Sequence, residues 1–232
     1  MKAHTALGGG NLRLFGSASV FSWPTSIAEA VPVFSDDTRV DPKRGHDDSA
    51  GRGRIWALAS TTVGATWHET GHSFGLPHCK DGLGIMTRGF DKFNGVFTFR
   101  DPPSEHRIRG KVFTSEEQAY FAPISASYLQ WSRWFQLDDP KVDSESRPKI
   151  EIDQGEGSVV VTSDAGVPWV GFWVGFWVGD EIVAHREFKD SPREVTLTLS
   201  EIQNQLGKKS LRKVTAIGIN GKSRSEKVER SE

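Results

Sequence analysis

The stretch Trp67 to Arg88, WHETGHSFGLPHCKDGLGIMTR, holds the residues of this chain best suited to do chemistry. His68 and His72 stand four apart, so on a helix they project from one face, one turn apart, and can bind the same ion. Glu69 lies beside them. Gly75 falls where such a helix would end, because glycine enters the left-handed conformation of a helix cap without a Cβ penalty, and Pro77 keeps the helix from resuming. The chain turns back there, which lets His78 approach the same ion from outside the helix. Three imidazole nitrogens at about 2.0–2.1 Å with one tetrahedral position left for water is the donor set of a catalytic zinc site. A surface helix that merely carries histidines would account for neither the Gly75 break nor the third histidine.

The full string H-E-x-x-H-x-x-G-x-x-H followed by Gly84-Ile85-Met86 resembles the signature of metzincin zinc metallopeptidases, and five fixed positions with a downstream Met-turn make coincidence improbable. The segments ALGGGNLRLFGS, DDSAGRGRIWALASTT, HETGHSFGLPH and GIMTRGFDKFN narrow it. They look like a group of uncharacterised eukaryotic zinc metallopeptidases, some of which carry a jacalin-like lectin domain, and the likeness covers about the first 135 residues. It implies that His68, His72 and His78 bind one zinc ion, that Glu69 is the catalytic base, and that Met86 forms the floor under the metal. Archaemetzincins are similar in placing a cysteine after the third histidine, as His78-Cys79 does. Their next motif cysteine would fall at Gly84, so their second, cysteine-bound zinc is not expected. Arg88 stands where some metzincins have a tyrosine ligand, and that ligand is absent. Only 67 residues precede His68, fewer than the related peptidases use for their upper sheet, which implies a member lacking N-terminal strands.

Elements that would position these residues can be read on either side. Leu12 to Phe15 and Ser19 to Ser22 read as short strands, Thr25 to Val31 as a short helix, and Ser35 to Gly53 as a long surface loop. The loop contains His46-Asp47-Asp48, read as solvated charge rather than a second cation site. Arg54 to Ala59 reads as a strand, and Ser60 or Thr61 as the N-cap of the helix carrying His68, which Val63 and Trp67 would help to bury. Further on, a helical stretch from Thr114 is divided at Pro123, and Ile124, Tyr128, Trp131 and Phe135 make one apolar face that would close the lower half of a peptidase fold.

Leu137 to Lys149, LDDPKVDSESRPK, is polar and proline-bearing and reads as a linker. Beyond it come strand-like runs at Ile150–Ile152, Val159–Thr162, Val167–Val178, Glu181–Phe188, Val195–Leu199 and Val214–Ile219. A short helix over Ser200 to Leu206 interrupts them, with Ser200 and Gln203 spaced as a capping box and Gly207 at its end. Val170-Gly-Phe-Trp repeats at once as Val174-Gly-Phe-Trp. Because four is even, the duplication keeps each residue on its sheet face, and buried sandwich core is the preferred reading over an exposed aromatic binding face. The expected fold class is therefore α+β, with a zincin-like (metzincin) domain over residues 1–138 and a small all-β, sandwich-like domain over 149–232.

With 36% hydrophobic and 25% charged residues the chain has the composition of a soluble globular protein. A formal net charge of -1 supplies no broad basic field, so nucleic acid is not an expected partner. One cysteine excludes an internal disulfide framework and suits a reducing compartment, and Cys79 itself reads as a small buried hydrophobe. No apolar leader opens the chain, and no apolar run is long enough to span a bilayer, so the expected location is cytoplasmic with no membrane contact. The expected function is hydrolysis of a peptide bond in a peptide or protein substrate, by a zinc-activated water with Glu69 as general base. Two rivals stand beside it. One is an inactive peptidase fragment whose β-domain is a protein- or carbohydrate-binding module, and the other a zinc hydrolase of some different amide.

Overall fold

A computed structural model describes residues 6–9, 12–43, 45–136, 145–176 and 179–229. In chain order its elements are β1 (Ala6–Gly9), β2 (Leu12–Phe15), a helical turn α1 (Ala30–Val33), the long helix α2 (Ile55–Ser73) and β3 (His78–Cys79). Then come β4 (Arg100–Asp101), β5 (Lys111–Val112), α3 (Pro123–Trp131), β6 (Lys149–Asp153), β7 (Ser158–Thr162), β8 (Trp169–Phe176) and β9 (Gly179–Glu187). The last are β10 (Glu194–Thr198), α4 (Leu199–Leu206), β11 (Leu211–Ile217) and β12 (Ser223–Lys227). This is a mixed α and β fold with several sheets. It divides into two compact units, residues 1–76 with 81–122, and residues 77–80 with 123–232. Residues 137–144 of the expected linker, and 177–178 of the tandem repeat, lie outside the described residues.

The first unit is built around α2. Its N-terminal half is enclosed on every side, with Trp56, Ala57, Leu58, Ala59, Ser60, Thr61 and Thr62 all buried. A helix buried all round shows no amphipathic period, which is why Arg54 to Ala59 reads as a strand and the helix start is expected six or seven residues too late. Arg54 is the extended residue that precedes the helix, bridged to Arg39. The polar residues of this buried face are paired: Ser60 Oγ donates to the main-chain oxygen of Asp91 at 3.0 Å, and Trp23 Nε1 donates to Thr62 Oγ1 at 2.8 Å. Trp56 Nε1 donates to the Pro103 carbonyl at 3.0 Å. The 3-10 helix Gly89–Val96 runs so close to α2 that a Cβ on Gly64 would fall 2.1 Å from the Phe90 carbonyl oxygen. Val63 is half-buried, whereas Trp67, expected to pack inward, is 47% exposed.

β1 and β2 form an antiparallel hairpin with Ala6 opposite Phe15 and Gly9 opposite Leu12. The second expected strand, Ser19 to Ser22, is instead the end of a 3-10 helix Ser17–Ser22, in which Ser22 Oγ donates to the Ser19 carbonyl at 2.7 Å. The Ser22 hydroxyl thus supplies a local hydrogen bond of the kind that competes with a strand ladder.

The second unit is a two-sheet sandwich. One sheet has the order β10-β7-β6, the other β12-β11-β8-β9-β3. Val159, Val161, Val195 and Leu197 of the first face Val170, Phe172, Val174, Val214 and Ala216 of the second, with Ile202 and Leu206 of α4 in the same core. The alternate residues of the described part of the repeat, Val170, Phe172 and Val174, are thus interior. β12 carries polar residues that give no strand signal. α4 begins two residues earlier than its expected capping box: Thr198 Oγ1 accepts from Glu201 N, Glu201 Oε2 accepts from Thr198 N, and Gly207 ends the helix at φ 64°. Three features depart from an all-β domain in this unit. Helix α4 is one. Helix α3 is another, held by Trp169 Nε1 donating to Ser127 Oγ at 3.0 Å and by Tyr128 edge-on to Trp169. Strand β3 is the third, pairing in parallel with β9, His78 opposite Glu181. Phe135 lies beyond the end of α3 and is exposed, so the apolar stripe is shorter than its spacing suggested.

Candidate metal centre

His68 and His72 lie one turn apart on α2, and their Nε2 atoms are 3.0 Å apart. Main-chain carbonyls set both rings. His68 Nδ1 donates to the Ile85 oxygen at 2.7 Å, and His72 Nδ1 donates to the Leu76 oxygen at 2.8 Å. A carbonyl can only accept, so each Nδ1 carries a hydrogen and each ring turns its Nε2 toward the other, the nitrogen left to bind an ion. The outer bonds to carbonyls are also those that fix the tautomer and orientation of a metal-bound histidine.

The Leu76 carbonyl is available because of how α2 ends. Gly75 has φ 86°, its N–H donates to the His72 carbonyl at 2.9 Å, and the Leu76 N–H donates to the Gly71 carbonyl at 2.9 Å. This 6→1 and 5→2 pair is a Schellman cap with glycine at the left-handed position. The cap aims the Leu76 oxygen back at the ring of His72, and Pro77 then leads into β3. Among the described residues, His68, His72 and His78 are the group of three potential ligands whose donor atoms gather within 4.8 Å of one another. Three imidazoles suit zinc, and the donor set fits that ion.

Met86 is fully buried in the turn after the motif. Its sulfur lies against the helix at Gly71, where a Cβ would fall 2.3 Å from Sδ. Gly71 is thus the residue that lets the Met86 side chain reach α2, and a glycine inside a helix is a sequence signal for such close approach. Glu69 is half-buried on α2. β1 crosses directly over it: a Cβ on Gly8 would fall 2.4 Å from the Glu69 main-chain oxygen and 2.8 Å from Oε2. The carbonyls of Ile85 and Leu76, and the glycines at 8 and 71, are site features that spacing alone did not point to. Arg88 pairs with Asp91 at 2.6 Å. Asp47, in the loop considered for a second cation, accepts from Ser49 N at 3.0 Å in a local turn. Cys79 is buried. Among the described residues no helix is long and apolar enough to cross a membrane.

A family model described as "Putative peptidase family" (Metallopep) matches residues 1–168. The chain belongs to this family. The match runs past the first 135 residues, the extent of the likeness in the sequence, and takes in β6 and β7. Over 105 residues the chain is 37% identical to a "Putative zinc metalloproteinase" of Saccharomyces cerevisiae and 42% identical to one of Schizosaccharomyces pombe. Those alignments cover 44% of this chain but 15% and 17% of the two relatives, so the chain spans a small part of their length. Among solved structures, wild-type OgpA from Akkermansia muciniphila aligns over 77% of this chain and 52% of its own, at a TM-score of 0.44 and 15% identity. A likeness at that level does not define a shared fold.

Proposed function

We propose that this chain is a zinc-dependent peptidase of metzincin type, with one ion held by His68, His72 and His78, Glu69 as general base and Met86 as the floor of the site. The observation that carries the reading is the pair of Nδ1–H···O=C bonds that turn the Nε2 atoms of His68 and His72 toward each other at 3.0 Å. When bound, zinc supplies Lewis acidity and brings the pKa of a coordinated water to about 7. The chain's own residues do the rest. His68 and His72 keep their Nδ1 protons on the carbonyls and hold Nε2 in place. The Glu69 carboxylate takes a proton from water as the water oxygen adds to the substrate carbonyl carbon, and delivers it to the amine nitrogen as the C–N bond breaks. β1, which crosses Glu69, is the candidate edge along which an extended peptide lies. The binding-module alternative lacks a comparable observation, since Val170, Phe172 and Val174 are core residues rather than a binding face.

The test pairs two variants with the unmodified chain, each assayed for bound zinc and for cleavage of an unbiased peptide library. Glu69→Gln keeps the size of the side chain and removes the base, so zinc content survives while hydrolysis falls about 10²-fold or more. His78→Ala removes one of three ligands, so zinc is lost under chelator competition. Cleavage by Glu69→Gln at the unmodified rate would sink the assigned mechanism, and unaltered zinc affinity in His78→Ala would sink the assigned ligand set.

A further inference from the structure

We infer that Tyr120 and Asp81 are positioning residues for the metal centre, acting through the Ile85 peptide to hold the ring of His68. The inference rests on the zinc reading above. The Ile85 peptide unit is gripped at both ends. Its N–H donates to the Tyr120 carbonyl at 2.8 Å, and its carbonyl accepts the Nδ1–H of His68 at 2.7 Å. Tyr120 is bridged in parallel to Gly84 and also donates its own N–H to the Leu83 carbonyl at 3.3 Å. The place of the Ile85 oxygen, and with it the direction of His68 Nε2, is therefore decided where the Leu83–Ile85 strip meets Tyr120.

Asp81 latches that strip from both sides. One carboxylate oxygen, Oδ1, accepts from Leu83 N at 3.0 Å, its main-chain carbonyl accepts from Gly84 N at 3.0 Å, and the other carboxylate oxygen, Oδ2, accepts the phenol hydroxyl of Tyr120. One side chain thus ties the start of the turn that carries Ile85 and Met86 to the distant segment that clamps Ile85. The sequence separation of Asp81 and Tyr120 hides the pair, and no motif links them. Tyr120 is 41% exposed, and its hydroxyl bond to Asp81 adds a side-chain tie to the backbone bonds that join the residue to the turn. Loss of that bond leaves the backbone clamp intact but looser, and a displaced Ile85 oxygen turns the imidazole away from its productive direction. Outer partners of metal-bound histidines typically change metal affinity by about 10- to 100-fold, and a partner one bond further out belongs at the lower end.

The experiment measures zinc affinity by chelator competition in the full chain, with the visible spectrum of the cobalt-loaded protein and the thermal midpoint of the metal-free protein beside it. Tyr120→Phe and Asp81→Ala each weaken zinc binding about tenfold and alter the cobalt spectrum, while the double variant is no weaker than either single one. Asp81→Asn, which keeps an acceptor for Leu83 N and a hydrogen-bond partner for the phenol, restores affinity to within about threefold of the unmodified chain. Zinc affinity within twofold of the unmodified chain in Tyr120→Phe overturns the inference, as do effects of the two single variants that simply add. A loss of affinity matched by loss of metal-free stability, with the cobalt spectrum unchanged, overturns it too, because that is the mark of general destabilisation. An unmodified chain that holds no zinc at all overturns the metal reading and this inference with it, whereas the other outcomes leave that reading standing.

Discussion

Arg52 anchors the loop that leads into α2, using every part of its guanidinium on a different segment. Nε donates to the Ser49 carbonyl at 2.8 Å, Nη1 to the Asp91 carbonyl at 2.9 Å, and Nη2 to the Ala57 carbonyl at 3.2 Å and to Thr61 Oγ1. The group also lies 5.0 Å from the centroid of the Trp56 ring. Burial pulls its pKa below the ordinary arginine value, and the negative charges of Asp91 and Asp101 work against that pull. Removing the side chain leaves several carbonyls short of a donor in a place water reaches poorly. Arg52→Ala is therefore expected to lower the free energy of unfolding by about 3 kcal/mol in a urea titration, and Arg52→Lys to recover less than half, since an ammonium cannot reproduce the planar fork. A Lys variant as stable as the unmodified protein would show that charge alone is what the site needs. Residues of this kind carry no motif, whereas His68, Glu69, His72 and His78 stand out by spacing even before a fold is known.

Helix ends illustrate what sequence reading resolves at the next scale. At the C-terminus of α2, Gly75 and Pro77 mark the stop, because a left-handed residue and a missing N–H are local properties of those residue types. The start of the same helix has no such mark: Arg54 makes no side-chain cap, and the first five residues, Ile55 to Ala59, are apolar all round. At α4 a cap is present but not at the residues expected, since Ser200 and Gln203 and the true pair Thr198 and Glu201 both satisfy the same spacing rule. β10 runs through Thr198 and decides between them. Thr198→Ala should cost about 1 kcal/mol in chemical denaturation, the usual worth of an N-cap. Hydrogen bonds from the Thr198 N–H and hydroxyl hold the Glu201 carboxyl below the usual carboxylate range. A carboxyl depressed in this way stabilises the fold above its unfolded pKa, near 4.3, and the contribution fades as pH falls through the lower folded value. The stability difference between the unmodified chain and Glu201→Gln should accordingly be present at neutral pH and vanish on acidification. A difference independent of pH would mean that the carboxylate charge plays no part in the cap.

Across the whole molecule, the second unit draws on segments far apart in the chain. β3 supplies an outer strand beside β9, and α3 covers Trp169, which is completely buried with its indole N–H on Ser127. A fragment beginning at Pro148 would lack both. Trp169 alone carries about 150–250 Å² of side-chain surface, part of which would return to water, and the edge of β9 would be left unpaired. The fragment is expected to bind a hydrophobic dye and to show a red-shifted tryptophan emission. A sharp thermal transition with blue-shifted emission would show instead that β3 and α3 are dispensable to this unit.

By itself the sequence determined the donor types and their order, the helical spacing that can set two imidazoles on one ion, the break that follows them, and the strand pattern of the C-terminal half. These follow from local geometry, from 3.6 residues per turn, a period of two in strands, and the backbone freedom of glycine. Tertiary structure alone decided which carbonyls orient His68 and His72, that α2 begins at Ile55, that β1 crosses Glu69, and that β3 joins the sheet of the second unit. Each of those is a contact between segments distant in the chain or a backbone group common to every residue, and neither leaves a mark in residue type.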